Sequence, residues 1–131
     1  MEERREPAAV RTGKLRVKRI YEPPDTSDGV RVLVDRIWPR GVTREDAKLA
    51  VWMKEVAPSP ALRTWFGHDP DKFEPFAARY EAELSEPRVR PYLERLRQWA
   101  ERDGVTLLYA ARDERHNHAV VLKRFLERTG L

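Results

Sequence analysis

Two polar clusters carry most of the residues able to do chemistry, DRIWPRG at 35–41 and ARDERHNH at 111–118, and each directly follows an apolar run. The second places His116 and His118 on either side of Asn117. Such a segment could ligate a metal, catalyse proton transfer, cradle an anion or simply turn the chain. On a helix, residues two apart lie about 200° around the axis, so these histidines could share an ion only on extended chain. The triplet stands where a helix should begin, and a tri-histidine set completed by His68 has no further support. No metal is expected.

An anion cradle fits the residue types better. Asp113 or Asn117 is placed to cap the following helix, whose first backbone N–H groups and dipole favour negative charge. Arg36, Arg40 and Arg112 supply forked donors suited to phosphate or carboxylate, and Trp38 could supply a stacking plane. Asp35, among arginines, would stay ionised and act as a base or as an organiser of those arginines. A third segment, WFGHDP at 65–70, has a glycine turn that presents His68 as a candidate acid or base. The candidate catalytic residues are therefore Asp35, His68 and Asp113. Arg36, Trp38, Arg40, Arg112 and Asn117 are the candidate ligand-binding residues.

Each has a competing structural reading. Asp35 and the arginines could form a network that merely fixes loops, with Trp38 packed as core. His68 could sit exposed in a helix–helix connection beside an N-capping Asp69. His118 shares a helical face with Leu122 and Phe125, which favours a hydrogen-bonded scaffold residue.

Composition removes several alternatives. The 131 residues include no cysteine, so thiolate catalysis, disulfides and cysteine-ligated metal are excluded. Ser27, Ser59 and Ser85 stand in turn or capping contexts without a nucleophile elbow. No glycine-rich phosphate loop occurs, and no cofactor is expected. The net charge of +4 comes from 26 basic residues, 20 of them arginine, interspersed with 22 acids rather than gathered in a block. That pattern favours a solvated mixed-charge surface over a nucleic-acid face. No run of about 18 apolar residues is present, and the first 13 residues lack an apolar leader core, so a cytoplasmic protein without membrane contact is expected.

The elements that must position these clusters follow from periodicity. Residues 1–13 read as a mobile tail, and 14–131 as one domain. LRVKRIY (15–21), VRVLVDR (30–36) and VTLLYA (105–110) read as strands, the last two buried on both faces. KLAVWMKEVAPSP suits a short strand or a helix, and we favour the strand. Ser59 or Pro60 opens a helix that Gly67 closes. Asp69 and Pro70 open the next, with Phe73, Phe76, Ala77, Tyr80 and Leu84 as its apolar stripe. A third helix spans about 87–102, and a last one carries Val121, Leu122, Phe125 and Leu126 before Gly130. The result is an α/β domain with a small, mostly parallel or mixed sheet flanked by helices, and Val32, Val34, Leu107, Tyr109, Val121 and Phe125 in its core. In such sheets ligands bind beyond the carboxyl ends of strands, which is where both polar clusters begin.

LVDRIWPRG, WFGHDP and TLLYAARDERHNHAVVL, in this order and spacing, resemble the YeaO-like branch of the domain-of-unknown-function 488 family over roughly residues 15–128. The resemblance implies a compact α/β domain and assigns no reaction. Relatives in the wider family often carry a Cys-His-Arg element at the start of the last helix. Asn117-His118-Ala119 stands there in this chain, so thiol chemistry is absent while the location still points to the helix entrance. The expectation is a site for an anionic, phosphate- or nucleotide-like small molecule, open to hydrolase or transferase chemistry with no reaction identified. The alternative is a nucleic-acid or protein interaction module using surface arginines. Oligomeric state is not readable from the sequence.

Overall fold

The structure is a computed structural model and describes residues 14–129. The tail expected over 1–13 and the helix stop at Gly130 lie outside the described residues. Four strands, β1 (Leu15–Arg19), β2 (Val30–Leu33), β3 (Val51–Trp52) and β4 (Val105–Tyr109), form one sheet in the order β1-β4-β2-β3. All three pairings are parallel. β4 is the last strand in the chain but inserts between the first two, and every one of its residues is buried. That position is why VTLLY is apolar at every residue but Thr106 rather than alternating. The register sets Arg19 beside Tyr109 and Leu33 beside Leu108, so the chain leaves the strands along one common edge.

Alternation sorts the strand side chains onto two unlike faces. Leu15, Val32, Val34, Leu107 and Tyr109 join a core built with α2 (Pro60–Phe66), α3 (Phe73–Leu84), α4 (Arg90–Arg102) and α5 (His118–Thr129). Val121 and Phe125 of α5 belong to the same core. On the other face, Ile20, Leu33 and Leu108 pack with Ala47 of the short α1 (Arg44–Ala47) and the partly buried Trp38 and Trp52.

The amino-terminal part of that second face is polar. Buried Arg31 donates through Nη1 to Asp28 Oδ2 at 2.6 Å and through Nε and Nη2 to the Ala47 carbonyl at 3.1 and 2.8 Å. Lys18 reaches the same carboxylate at 3.1 Å, and the Thr106 hydroxyl donates to the Asp28 carbonyl at 2.7 Å. Burial pushes the Asp28 carboxyl up, but donors from the Asp25 N–H, Lys18 and Arg31 together hold it below the ordinary value. Both charges of this pair are thus satisfied where an unpaired one would be costly.

Two helix starts differ from the expected bounds for one reason. Residues 70–72 and 87–89 form 3₁₀ turns, and the α-helices begin only at Phe73 and Arg90. Pro75 and Pro91 lack the N–H groups that would bond the carbonyls of Asp71 and Pro87 in a longer helix, so the entering turns tighten instead. No helix among the described residues is long and apolar enough to cross a membrane.

Gly29 turns the chain into β2 with φ +66 and ψ −137, a region open essentially to glycine. A Cβ there would lie 2.5 Å from the Gly104 carbonyl oxygen and 2.6 Å from that of Asp103. Gly41 also has positive φ, +79, but a Cβ would meet nothing within 4 Å. Urea denaturation should therefore separate the two alanine variants. Gly29→Ala is expected to lose more than about 2 kcal/mol, and Gly41→Ala about 1 kcal/mol, the backbone cost alone. Equal losses would contradict the close approach of the two turns.

Candidate functional site

The strand exits are tied together before they diverge. Val34 N–H still donates to Leu108 at 3.0 Å, and the Asp35 side chain then crosses to β4, where Oδ2 accepts from Ala110 N–H at 3.1 Å. Its Oδ1 lies 3.0 Å from His118 Nε2, whose N–H donates to the Val34 carbonyl at 3.1 Å. Both neighbours of Nε2 are acceptors, so this nitrogen carries the ring proton. Trp52 at the end of β3 donates its indole N–H to the Asp35 carbonyl at 2.7 Å. Arg19 at the end of β1 donates to the carbonyls of Ala111 and Ala110 at 2.9 and 3.2 Å. Every strand thus contributes to the same junction.

The loop after β4 is shaped by its own side chains. Asp113 Oδ1 accepts from the backbone N–H groups of Arg115 (2.9 Å) and His116 (3.0 Å), and Oδ2 pairs with His116 Nδ1 at 2.9 Å. The Arg115 amide, the His116 ring and the His116 amide hold the Asp113 carboxyl below its ordinary value. Asn117 is buried; it donates to the Asp113 carbonyl at 2.8 Å and accepts from Val120 N–H at 3.0 Å. Of the two candidate caps, Asn117 therefore caps α5, while Asp113 folds the loop ahead of it. The paired histidines turn to different carboxylates, His116 to Asp113 and His118 to Asp35.

The turn between α2 and α3 closes over these loops. Ser59 caps α2 and is held by Glu83 of α3 through bonds of 2.8 and 2.6 Å. Gly67 ends α2 at φ +54, and His68 follows at φ +59. A left-handed histidine directly after a left-handed glycine is an uncommon conformation, and here it leaves the imidazole exposed.

The three segments meet around one cavity of about 630 Å³, whose lining includes Asp35, Arg36, His68, Arg112, Asp113, Asn117 and His118. Trp38 and Arg40 are not brought to it. The Trp38 indole donates to the Val42 carbonyl at 2.7 Å, meets Trp52 edge-on at 5.3 Å and lies under the Arg44 guanidinium at 4.5 Å. That packing on the second sheet face takes up the plane expected to stack on a ligand. Arg40 is exposed, and its carbonyl accepts from the Tyr21 hydroxyl at 2.9 Å. Arg36 lines the cavity, yet its guanidinium is engaged with the carbonyls of Pro58 and Ala57, both at 3.2 Å. His118, expected to be scaffold alone, is both a tie and part of the wall. Arg63, Ile37, Pro58, Phe66, Phe76, Ala110 and Ala111 complete the lining. Arg63 lies one turn before Gly67, and only the placement of α2 over the sheet edge could have singled it out.

Fold and cavity define an open, all-parallel α/β domain with a ligand-sized recess at the carboxyl edge of its sheet. The chain belongs to the DUF488-N3i family, described as the inactive DUF488-N3 subclade, whose model matches residues 14–130. It is 44% identical over 117 residues to an uncharacterized protein of Mycobacterium tuberculosis strain H37Rv, covering 89% of this chain and 97% of that one. It is 40% identical over 112 residues to the uncharacterized protein YeaO of Escherichia coli, covering 86% and 96%. No solved structure matches it.

The roles of Asp113 and Asn117 can be separated by pH. Asp113 sits below its ordinary value of 3.8 when folded, so its contribution to stability is complete above that pH and is lost as the pH falls through the folded value. Asp113→Asn should therefore be measurably less stable than the parent near pH 6, with the deficit shrinking only as the pH falls below 3.8. Asn117→Ala should lose about 1–2 kcal/mol at both pH values, because a cap is removed. A constant deficit for Asp113→Asn across the acid range would contradict the loop assignment.

Proposed function

We propose that the chain binds an anionic small molecule in the cavity at the carboxyl edge of its sheet. One observation carries this reading. Arg63 and Arg112 line the cavity, are exposed, and make no hydrogen bond or ion pair through their guanidiniums among the described residues. Two forked cations at the mouth of a recess are suited to phosphate or carboxylate oxygens. Of the carboxylates nearby, Asp113 is committed to Arg115 and His116, while Asp35 gives Oδ2 to the Ala110 amide and its buried Oδ1 stands 3.0 Å from His118 Nε2. The volume lies in the range of small-molecule sites, and apolar side chains line much of its wall.

Binding rather than turnover is the better-supported role. No hydroxyl, thiol or amine side chain lines the cavity. Asp113, offered by its sequence position as a catalytic acid or base, spends both oxygens on folding its own loop. The description of the subclade as inactive agrees with this reading.

Calorimetric titration with inorganic phosphate and with ribose 5-phosphate tests the proposal. Arg63→Ala and Arg112→Ala should each weaken binding by about tenfold or more, the loss typical of a charge-assisted hydrogen bond. Both variants should keep the parent melting temperature, because neither guanidinium holds the fold. Affinity unchanged in both variants, or no binding at all, would remove the anion site.

A further inference from the structure

The cavity presents different chemistry at its mouth and at its floor. The mouth holds the unpaired donors of Arg63 and Arg112. The floor holds His118, whose Nε2 proton is committed to the Val34 carbonyl, with Asp35 Oδ1 3.0 Å from the same nitrogen. Its other nitrogen, Nδ1, has no hydrogen-bond partner among the described residues. In the neutral ring, Nδ1 is an acceptor and cannot donate. A ligand that satisfies both ends needs an anionic group outward and an N–H or O–H donor inward.

The walls between those ends are apolar. Phe66 and Phe76 stack on each other at 4.2 Å and 15°, and Pro58, Ala110 and Ala111 continue the surface. Ile37 borders the cavity with 60% of its surface exposed, one of the few large apolar side chains left open. A bare phosphate or a sugar phosphate would leave this surface wet. A flat heterocycle would cover it and carry the donor to the floor.

We infer that the ligand is a nucleoside monophosphate, with its base against the wall of Ile37, Pro58 and Phe66, a base N–H donating to His118 Nδ1, and its phosphate on Arg63 and Arg112. This rests on the anion-site reading and goes beyond it in naming the ligand class and in making His118 a specificity-determining residue. Val34 and Asp35 act through Nε2: both present acceptor oxygens to that nitrogen, which keeps the proton there and leaves Nδ1 as the ring's acceptor.

The full chain, titrated at pH 8 with AMP, GMP, CMP and UMP and, in parallel, with ribose 5-phosphate, provides the test. At least one nucleotide should bind about tenfold or more tighter than ribose 5-phosphate, the increment a stacked base supplies. His118→Gln keeps a donor near the position of Nε2 and deletes the ring acceptor. It should cost that nucleotide about tenfold while leaving ribose 5-phosphate unchanged. In the parent protein, long-range ¹H–¹⁵N spectra of the imidazole should show the Nε2–H tautomer, with the Nδ1 resonance moving on nucleotide addition, a readout that does not depend on the variant folding. If ribose 5-phosphate binds as tightly as all four nucleotides, or Nδ1 does not move, the base-binding inference falls and the anion site stands. If none of the five binds, both fall.

Discussion

Parallel strands separate once their ladder of hydrogen bonds ends, and at the exit of β2 and β4 the Asp35 carboxylate holds that separation closed. It bonds the Ala110 amide on one side and meets the His118 imidazole on the other, while Trp52 fixes its backbone. A carboxylate can do this because its two oxygens leave one rigid plane in different directions, Oδ2 accepting from Ala110 and Oδ1 standing 3.0 Å from the imidazole. Without it, the Ala110 N–H would lose its acceptor, and the start of the β4–α5 loop would lose its attachment to the β2 exit. The Arg19 bonds to Ala110 and Ala111 brace the same loop from β1. The recess is therefore held by groups from every strand, and its shape is built before any ligand arrives.

The division of labour around that recess follows from the same constraint. Residues that shape the loops bond backbone: Asp35 through Oδ2, and Asp113, Asn117 and Arg36 through their side chains. Residues that can meet a ligand are those left over, namely Arg63 and Arg112 at the mouth, His118 Nδ1 below, and exposed His68 on its left-handed backbone. The polar cluster on the opposite face obeys the other rule. Lys18, Asp28 and Arg31 are mutually paired, so they stabilise the underside of the sheet and offer little to a partner.

Much of this was legible in the sequence, and the failures have definite causes. The parallel sheet, the position of the last helix and the core residues Val32, Leu107 and Phe125 followed from apolar runs and caps. The rule that such sheets bind ligands beyond their strand ends pointed to the 35–41 and 111–118 clusters, whereas nothing local placed His68, which lies between two helices, beside them. Trp38 and Arg40 were placed with their neighbours because contiguity in sequence was read as contiguity in space. The chain bends at Arg36 and Ile37, and Trp38 packs against Trp52 on the far face instead. Arg63 and Phe66 come from a different element, α2, whose start is held to α3 by the bonds between Ser59 and Glu83. No local pattern reports that contact. The twofold role of His118 also needed coordinates, since a helical face shared with Leu122 and Phe125 does not reveal which ring nitrogen is engaged.

Backbone amide chemical-shift mapping during a phosphate titration shows whether the three separate loops form one anion site. The largest movements are expected together at residues 35–37, 63–68 and 110–118, saturating with a single dissociation constant. Movements confined to the amino edge around Lys14, Arg16 and Arg102, or scattered over surface arginines without saturation, would contradict it.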